Sequence, residues 1–220
     1  MGDRQFIFDG FYTADEINDP NVPKPVGTVR AGYLKYKDLN DDGVVDMYDR
    51  AYVGNPNLQN TTIGLNLGLS YRGFSVNALL QSAINFSVQV GQNLSTPWSA
   101  NLQPFHLKRW TPETAETAEF PALTKDFLGS YMVSSNASTF WVMPGDYLRL
   151  RSMEVAYQFP SSWARQLGLN NLRLYANGYN LLTWSKVINR FQYDPEVARN
   201  VGNAPYPQQA IYNFGLNVSF

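Results

Sequence analysis

Hydrophobic and polar residues alternate along several stretches of the chain. From Thr61 to Arg72, Ile63, Leu65, Leu67, Leu69 and Tyr71 fall on one side and Gly64, Asn66, Gly68, Ser70 and Arg72 on the other. This is the period-2 pattern of a β-strand with two unlike faces. Past Arg72-Gly73 the pattern resumes, with Phe74, Val76, Ala78 and Leu80 against Ser75, Asn77 and Gln81, and Leu79 out of step. The two runs predict a hairpin with a very tight turn. Further on, Met153, Val155, Tyr157 and Phe159 alternate with Ser152, Glu154, Ala156 and Gln158, and Asp146 to Arg151 extends that strand upstream with Arg149 and Arg151 on it. Leu172 to Trp184 is strand-like but less regular. In the last run Tyr212, Phe214, Leu216, Val218 and Phe220 alternate with Asn213, Gly215, Asn217 and Ser219.

Strands of a soluble sandwich alternate too, so length and the character of the polar face must discriminate. These runs reach the ~9–11 residues that cross a bilayer, beyond the ~5–6 typical of soluble strands. Their polar faces are rich in Gly, Ser and Asn, which suits a wet lumen, whereas soluble surfaces are crowded with Lys and Glu. Long connections (residues 93–145 and 185–209) alternate with short ones (72–73 and 160–171). That spacing is expected where one rim of a barrel carries large loops and the other tight turns. The 160–171 connection, with Trp163, Ala164, Leu167 and Leu169, predicts a short helix. No internal repeat, low-complexity stretch or Gly/Ser linker marks a domain boundary.

Composition sharpens this picture. Of 220 residues, 15% are aromatic and 16% charged, the latter below the roughly 25% usual for soluble domains. A net charge of −1 with scattered Lys and Arg offers no basic patch for phosphates, so nucleic acid is not an expected partner. The absence of cysteine removes disulfide scaffolds, thiolate catalysis and Cys-based metal sites. No apolar run approaches the ~18–20 residues of a membrane helix, which leaves a membrane β-barrel open. Met1-Gly2-Asp3-Arg4 does not open a secretory signal, so either the chain is cytoplasmic or its true N-terminus lies upstream.

The sharpest local motif runs from Asp38 to Asp49. Asp38, Asn40, Asp42, Asp46 and Asp49 place side-chain oxygens at loop positions one, three, five, nine and twelve, with Gly43 at six and the Val44 carbonyl at seven. A hard cation such as calcium needs six to eight oxygens from an enclosing loop, and this spacing supplies them. Asp49 stands where a bidentate Glu is commoner, and Tyr33 to Lys37 before the loop reads as strand, so the loop is free-standing and not a helix–loop–helix pair. The competing reading is an Asx-rich turn that closes on its own backbone without metal.

Other chemistry is sparse. A lone histidine, His106, makes neither a His-rich zinc site nor a triad, and reads as an ordinary loop residue. Acidic residues cluster in the metal-type loop and in the solvated run Glu113, Glu116, Glu119, so no catalytic constellation emerges. Aromatic residues of the long loops, Trp98, Phe105, Trp110, Phe140 and Trp141, offer ring faces for a ligand, Trp98, Trp110 and Trp141 being the candidates for ligand binding. The favoured alternative is that they pack the loops on themselves or stand as interface girdle residues at a barrel rim.

At this point a family pattern is visible. Gly32-Tyr33-Leu34-Lys35-Tyr36-Lys37 leading into the acidic loop, Asp49-Arg50, Val53-Gly54-Asn55-Pro56-Asn57, and Gly64 to Phe74 follow one another as in SusC/RagA-family TonB-dependent outer-membrane transporters. Arg109-Trp110-Thr111, Pro121 to Thr124, Asp146 to Arg151, Asn180 to Thr183, Asp194-Pro195-Glu196, Tyr206-Pro207-Gln208 and the terminal aromatic strand continue the order. The chain resembles the C-terminal portion of such a transporter from about Phe6 onward.

The resemblance implies an all-β fold: C-terminal antiparallel strands of a large transmembrane β-barrel with long extracellular loops, in the cell outer membrane. Residues 1–220 would supply about six or seven of roughly 22 strands, with plug and earlier strands outside the sequence. It further implies import of glycan or peptide nutrients with a SusD-type lipoprotein, contact with outer-membrane lipids, energy from the TonB complex through the missing N-terminal region, and no enzymatic activity. Phe220 resembles the terminal aromatic read by outer-membrane assembly machinery, and the acidic loop would steady an extracellular loop, calcium being its structural ion. The rival reading is a soluble calcium-stabilised β-rich carbohydrate-binding module, which leaves the terminal aromatic strand unexplained. A hydrolase comes last.

Overall fold

The computed structural model describes residues 2–90, 104–123, 138–196 and 208–220. The chain divides into two compact units: Met1–Leu58, Asn85–Gly145 and Val187–Tyr206 form the loop unit, and Gln59–Ile84, Asp146–Lys186 and Pro207–Phe220 the sheet unit.

Short strands build the loop unit. Antiparallel pairs join β1 (Arg4–Phe6) to β6 (Arg50–Tyr52), β2 (Phe8–Phe11) to β4 (Leu34–Tyr36), and β9 (Ser87–Gln89) to β10 (Val142–Pro144). A parallel pair joins β3 (Lys24–Pro25) to β5 (Val44–Val45). Helix α1 (Ala14–Asn18) starts at a capping box: Glu16 N donates to Thr13 Oγ1 at 3.2 Å and Thr13 N to Glu16 Oε2 at 2.9 Å. These two bonds satisfy amides that the first helical turn leaves without partners. Among the described residues two buried clusters stand out in the unit. Tyr12 and Tyr33 are buried against Ile17, Val22 and Val29, while Phe105, Phe120, Phe140, Trp141 and Phe191 are buried elsewhere in the unit. Phe191 ends helix α3 (Lys186–Phe191).

The sheet unit is one five-stranded antiparallel sheet in the order β13 (Ile211–Ser219), β12 (Asn171–Ser185), β11 (Tyr147–Gln158), β8 (Phe74–Ile84), β7 (Thr61–Tyr71). Its strands have 9, 15, 12, 11 and 11 residues, long enough to cross a bilayer when tilted. The β7–β8 hairpin closes on Arg72 (φ 46°) and Gly73 (φ 88°), the two left-handed residues of a type I′ turn. Only glycine fits the second place, since a Cβ there would lie 2.7 Å from the Gln158 carbonyl oxygen. The 159–170 connection holds the predicted short helix, α2 (Ser161–Gln166).

Register across the sheet assigns the faces. Leu67 pairs with Ala78, Ala78 with Met153, Met153 with Gly178 and Gly178 with Tyr212. Paired residues of neighbouring strands share a face, so Ile63, Leu65, Leu67, Leu69, Phe74, Val155, Leu174, Phe214 and Leu216 form one apolar surface. Every one of these is at least 40% exposed. Between Leu150 and Ser152 the register of β11 shifts, which moves the apolar phase from Leu148 and Leu150 to Met153, Val155 and Tyr157 without changing face.

Candidate functional site

The opposite face of the sheet is polar and laid out in rows. One row runs Gly68, Asn77, Glu154, Asn177, Asn213 across all five strands. Asn213 Nδ2 donates to Asn177 Oδ1 at 2.9 Å, and an Arg173 guanidinium nitrogen donates to Glu154 Oε1 at 2.6 Å. The next row runs Asn66, Leu79, Ser152, Tyr179, so the one out-of-step leucine stands among polar neighbours. A shallow groove of about 360 Å³ lies over these rows. Side-chain amides both donate and accept, so they can hydrogen-bond water or hydroxyl- and amide-rich solutes without preference for charge.

Toward one end of β11, Arg149 is fully buried. Its Nε donates to Thr183 Oγ1 at 2.9 Å, and one terminal nitrogen donates to Gln208 Oε1 at 2.6 Å. Arg151 donates to the same Gln208 oxygen and to Asn180 Oδ1, each at 3.2 Å. The shared acceptor ties β11 to the chain entering β13.

In the acidic loop the side chains turn onto the backbone. Asp38 Oδ2 accepts from Gly43 N (2.7 Å), Asn40 Oδ1 from Asp42 N (3.1 Å), Asp42 Oδ1 from Val44 N (2.9 Å) and Asp46 Oδ1 from Tyr48 N (2.8 Å). Asp49 is fully buried and uses both oxygens, accepting from Leu39 N at 2.8 Å and Asp46 N at 2.7 Å. Val44 itself lies in β5 beside Lys24. Although burial pushes the Asp38 carboxyl upward, the Gly43 amide and neighbouring loop amides hold it below the usual carboxylate value. Asp38 Oδ1 is buried without a hydrogen-bond partner. Among the described residues no group of three or more His, Cys, Asp or Glu side chains is arranged to hold a metal ion. In this structure the loop closes on its own backbone, with one carboxylate oxygen left over.

The aromatic candidates separate. Trp141 is fully buried, edge-on to Phe140 at 4.7 Å, and presents no ring face to a ligand; the expectation that it binds one is corrected. Trp110 lies over Gly32 (φ 82°), where a Cβ would approach its ring to 2.5 Å, so its ring packs on backbone and only its remaining surface is open. Trp98 falls outside the described residues. His106 is buried and stacked on Phe105 at 4.3 Å, as an ordinary core residue.

What sequence reading missed is a site around Arg190. Its guanidinium carbon lies 5.6, 5.1 and 5.4 Å from the ring centres of Phe120, Phe140 and Phe191, and Phe8, Phe11, Phe140, Ala118, Glu119 and Arg190 line a pocket of about 400 Å³. Burial draws the guanidinium below its ordinary pKa, and Glu119 partly restores it. These residues come from four distant segments, so no local spacing could announce them.

No family model matches the chain. TonB-dependent receptor P3 of Formosa agariphila is 27% identical over 91% of this chain, and TonB-dependent receptor P26 of the same organism 25% identical over 94%. The chain spans about a fifth of each (20% and 21%). Two solved structures, of the RagAB peptide transporter and of the RagAB peptide importer in its open-open state, superpose with TM-scores of 0.68 and 0.65 over the whole chain. Their identities are 21% and 22%, and the chain covers 22% of each. By sequence the chain is similar to a stretch of TonB-dependent receptors, and by fold to part of the RagAB structures. It is an all-β barrel segment, and its place is the outer membrane. The proteins it resembles are TonB-dependent receptors and a peptide transporter, not enzymes. The outward apolar face of the sheet, costly in water, is the surface such a barrel turns to lipid.

Proposed function

We propose that the chain forms barrel wall and outer loops of a transporter that imports glycan or peptide nutrients across the outer membrane. The observation that carries this reading is the apolar face, continuous from Leu65 through Met153 to Phe214, backed by a Gly, Asn and Ser face. Lipid accepts the first and a hydrated lumen the second. Among the described residues the outer edges of β7 and β13 carry no partner strand. Unpaired backbone groups cannot stay in hydrocarbon, so in this reading further strands of a longer polypeptide close the barrel. A SusD-type lipoprotein would meet the outer loops, and TonB would act through a region outside this sequence.

To test this, the intact receptor is extracted from outer membranes in mild detergent, and uptake of peptide and oligosaccharide mixtures is compared in cells with and without it. Co-purification of a surface lipoprotein and loss of uptake of one cargo class support the proposal. Recovery of the chain as a monomer in detergent-free buffer contradicts it and favours the soluble binding module.

A calcium ion in the acidic loop is a second reading, favoured by Asp38 Oδ1, the buried oxygen without a partner. Asp38, Asn40, Asp42, Val44, Asp46 and Asp49 would be its donors, with Asp49 having to release the amides it now holds. Calorimetric titration of the intact protein with calcium decides between the readings: heat in the micromolar to millimolar range supports the ion, and none leaves the self-closed turn.

A further inference from the structure

Among the described residues Arg190 makes no hydrogen bond or ion pair; it stacks on the faces of Phe120, Phe140 and Phe191, with Glu119 acting on it electrostatically. A guanidinium stacked in this way uses its planar faces on the rings and leaves its N–H edges for an acceptor. Among the described residues no hydrogen-bond acceptor takes that place. Glu119 lines the same pocket, but its carboxylate is held by Lys108 at 2.8 Å. Phe8, Phe11 and Phe140 form the remaining wall, Phe8 lying 4.8 Å from Phe140 and 5.5 Å from Phe11.

The pocket, about 400 Å³ in volume, therefore joins one cation whose N–H edges have no described acceptor to the apolar walls of Phe8, Phe11 and Phe140. A planar fork of N–H groups matches a carboxylate with two parallel hydrogen bonds, and partial removal from water strengthens them. Phenyl walls accept a flat or branched hydrocarbon group and offer little to a sugar hydroxyl or a phosphate. We propose that this pocket binds a small carboxylate that carries an aromatic or aliphatic group, with Arg190 holding the carboxylate and Phe8, Phe11 and Phe140 the apolar part. The inference stands apart from the import reading, since it requires the loop unit alone to be as described.

The test uses the intact polypeptide in detergent and two probes that differ only in charge, N-acetyl-phenylalanine and N-acetyl-phenylalanine amide, with affinities measured by calorimetry. The acid is expected to bind at least about tenfold more tightly than the amide, the effect of charged hydrogen bonds. Arg190→Met keeps the stem against the rings and should erase the difference, while Arg190→Lys should narrow it. Equal binding of acid and amide by the unaltered protein, binding of neither, or a preference surviving in Arg190→Met would each overturn the proposal. The two-probe comparison on the unaltered protein does not depend on how well any variant folds.

Discussion

In the sheet unit Leu65, Leu67, Leu69, Phe214 and Phe220 turn outward, at 51, 51, 71, 83 and 89% exposure. In the loop unit Phe105, Phe120, Phe140, Trp141 and Phe191 turn inward, none above 6%. One chain thus places similar side chains in opposite ways. The loop unit follows the rule for water, in which burial of each large apolar side chain contributes about 1.5–3 kcal/mol. The sheet unit inverts it, because its polar rows face the concave groove and its apolar rows face out. The inversion is stable only if the surroundings of that face are hydrocarbon, where backbone hydrogen bonds within the ladder supply the order. Hydrophobicity alone does not say which way a residue points; the solvent on each side does.

The comparison is broken most severely in the loop unit. Trp141→Ala removes a fully buried ring from the aromatic core and should cost about 3–5 kcal/mol, read by urea unfolding of the intact protein. A loss below about 1 kcal/mol would mean that the core repacks freely. In the sheet unit Leu67→Arg should cost about 2–4 kcal/mol in lipid vesicles, as for charges near the bilayer midplane, with Asn66→Arg on the other face far milder. Were the sheet bathed in water, Leu67→Arg would be close to neutral and the order of the two variants would vanish. Gly73→Ala should slow or weaken hairpin closure by about 1–3 kcal/mol, from a left-handed φ and a clash with the Gln158 carbonyl; refolding kinetics check it.

The smallest effect lies at α1. Lys35 donates to Glu16 at 2.7 Å, and this bond, with the Thr13 cap, holds the Glu16 carboxyl below its ordinary value. A carboxylate with a lowered folded pKa contributes stability that is present above its unfolded value, near 4.3, and lost as pH falls through the folded value. Glu16→Gln should cost about 0.5–1 kcal/mol at neutral pH, and the difference from the unaltered protein should shrink as pH falls from the unfolded value through the lowered folded value. A constant difference across pH would remove the ion pair from the account.

Much of the sheet unit was legible. Period-2 alternation located β7, β8, β11 and β13, and the Arg72-Gly73 pair located their tightest turn, because a strand with unlike faces writes its geometry directly into neighbouring residues; β12 was legible only as a less regular strand-like run. The bulge at Leu150/Ser152 was not read, because Asp146 to Arg151 looked like a plain extension of the strand and alternation by itself does not name an extra residue. In the loop unit only local features could be read: β4 within Tyr33 to Lys37, and the acidic loop. Its core joins Phe105, Phe120, Phe140 and Phe191 from far apart in the chain, and such meetings leave no periodic trace. The spacing of Asp38 to Asp49 was equally compatible with an ion and with a self-closed turn, since the same oxygens can accept from a cation or from backbone amides.

The central claim is that the sheet faces lipid on its apolar side and water on its polar side. Because the chain has no cysteine, single cysteines can be placed along β7 of the intact protein in lipid vesicles and challenged with a water-soluble maleimide. The account predicts alternation: slow labelling at 63, 65, 67 and 69 and fast labelling at 64, 66, 68 and 70. Labelling at the same rate throughout, or faster on the leucine side, would contradict it.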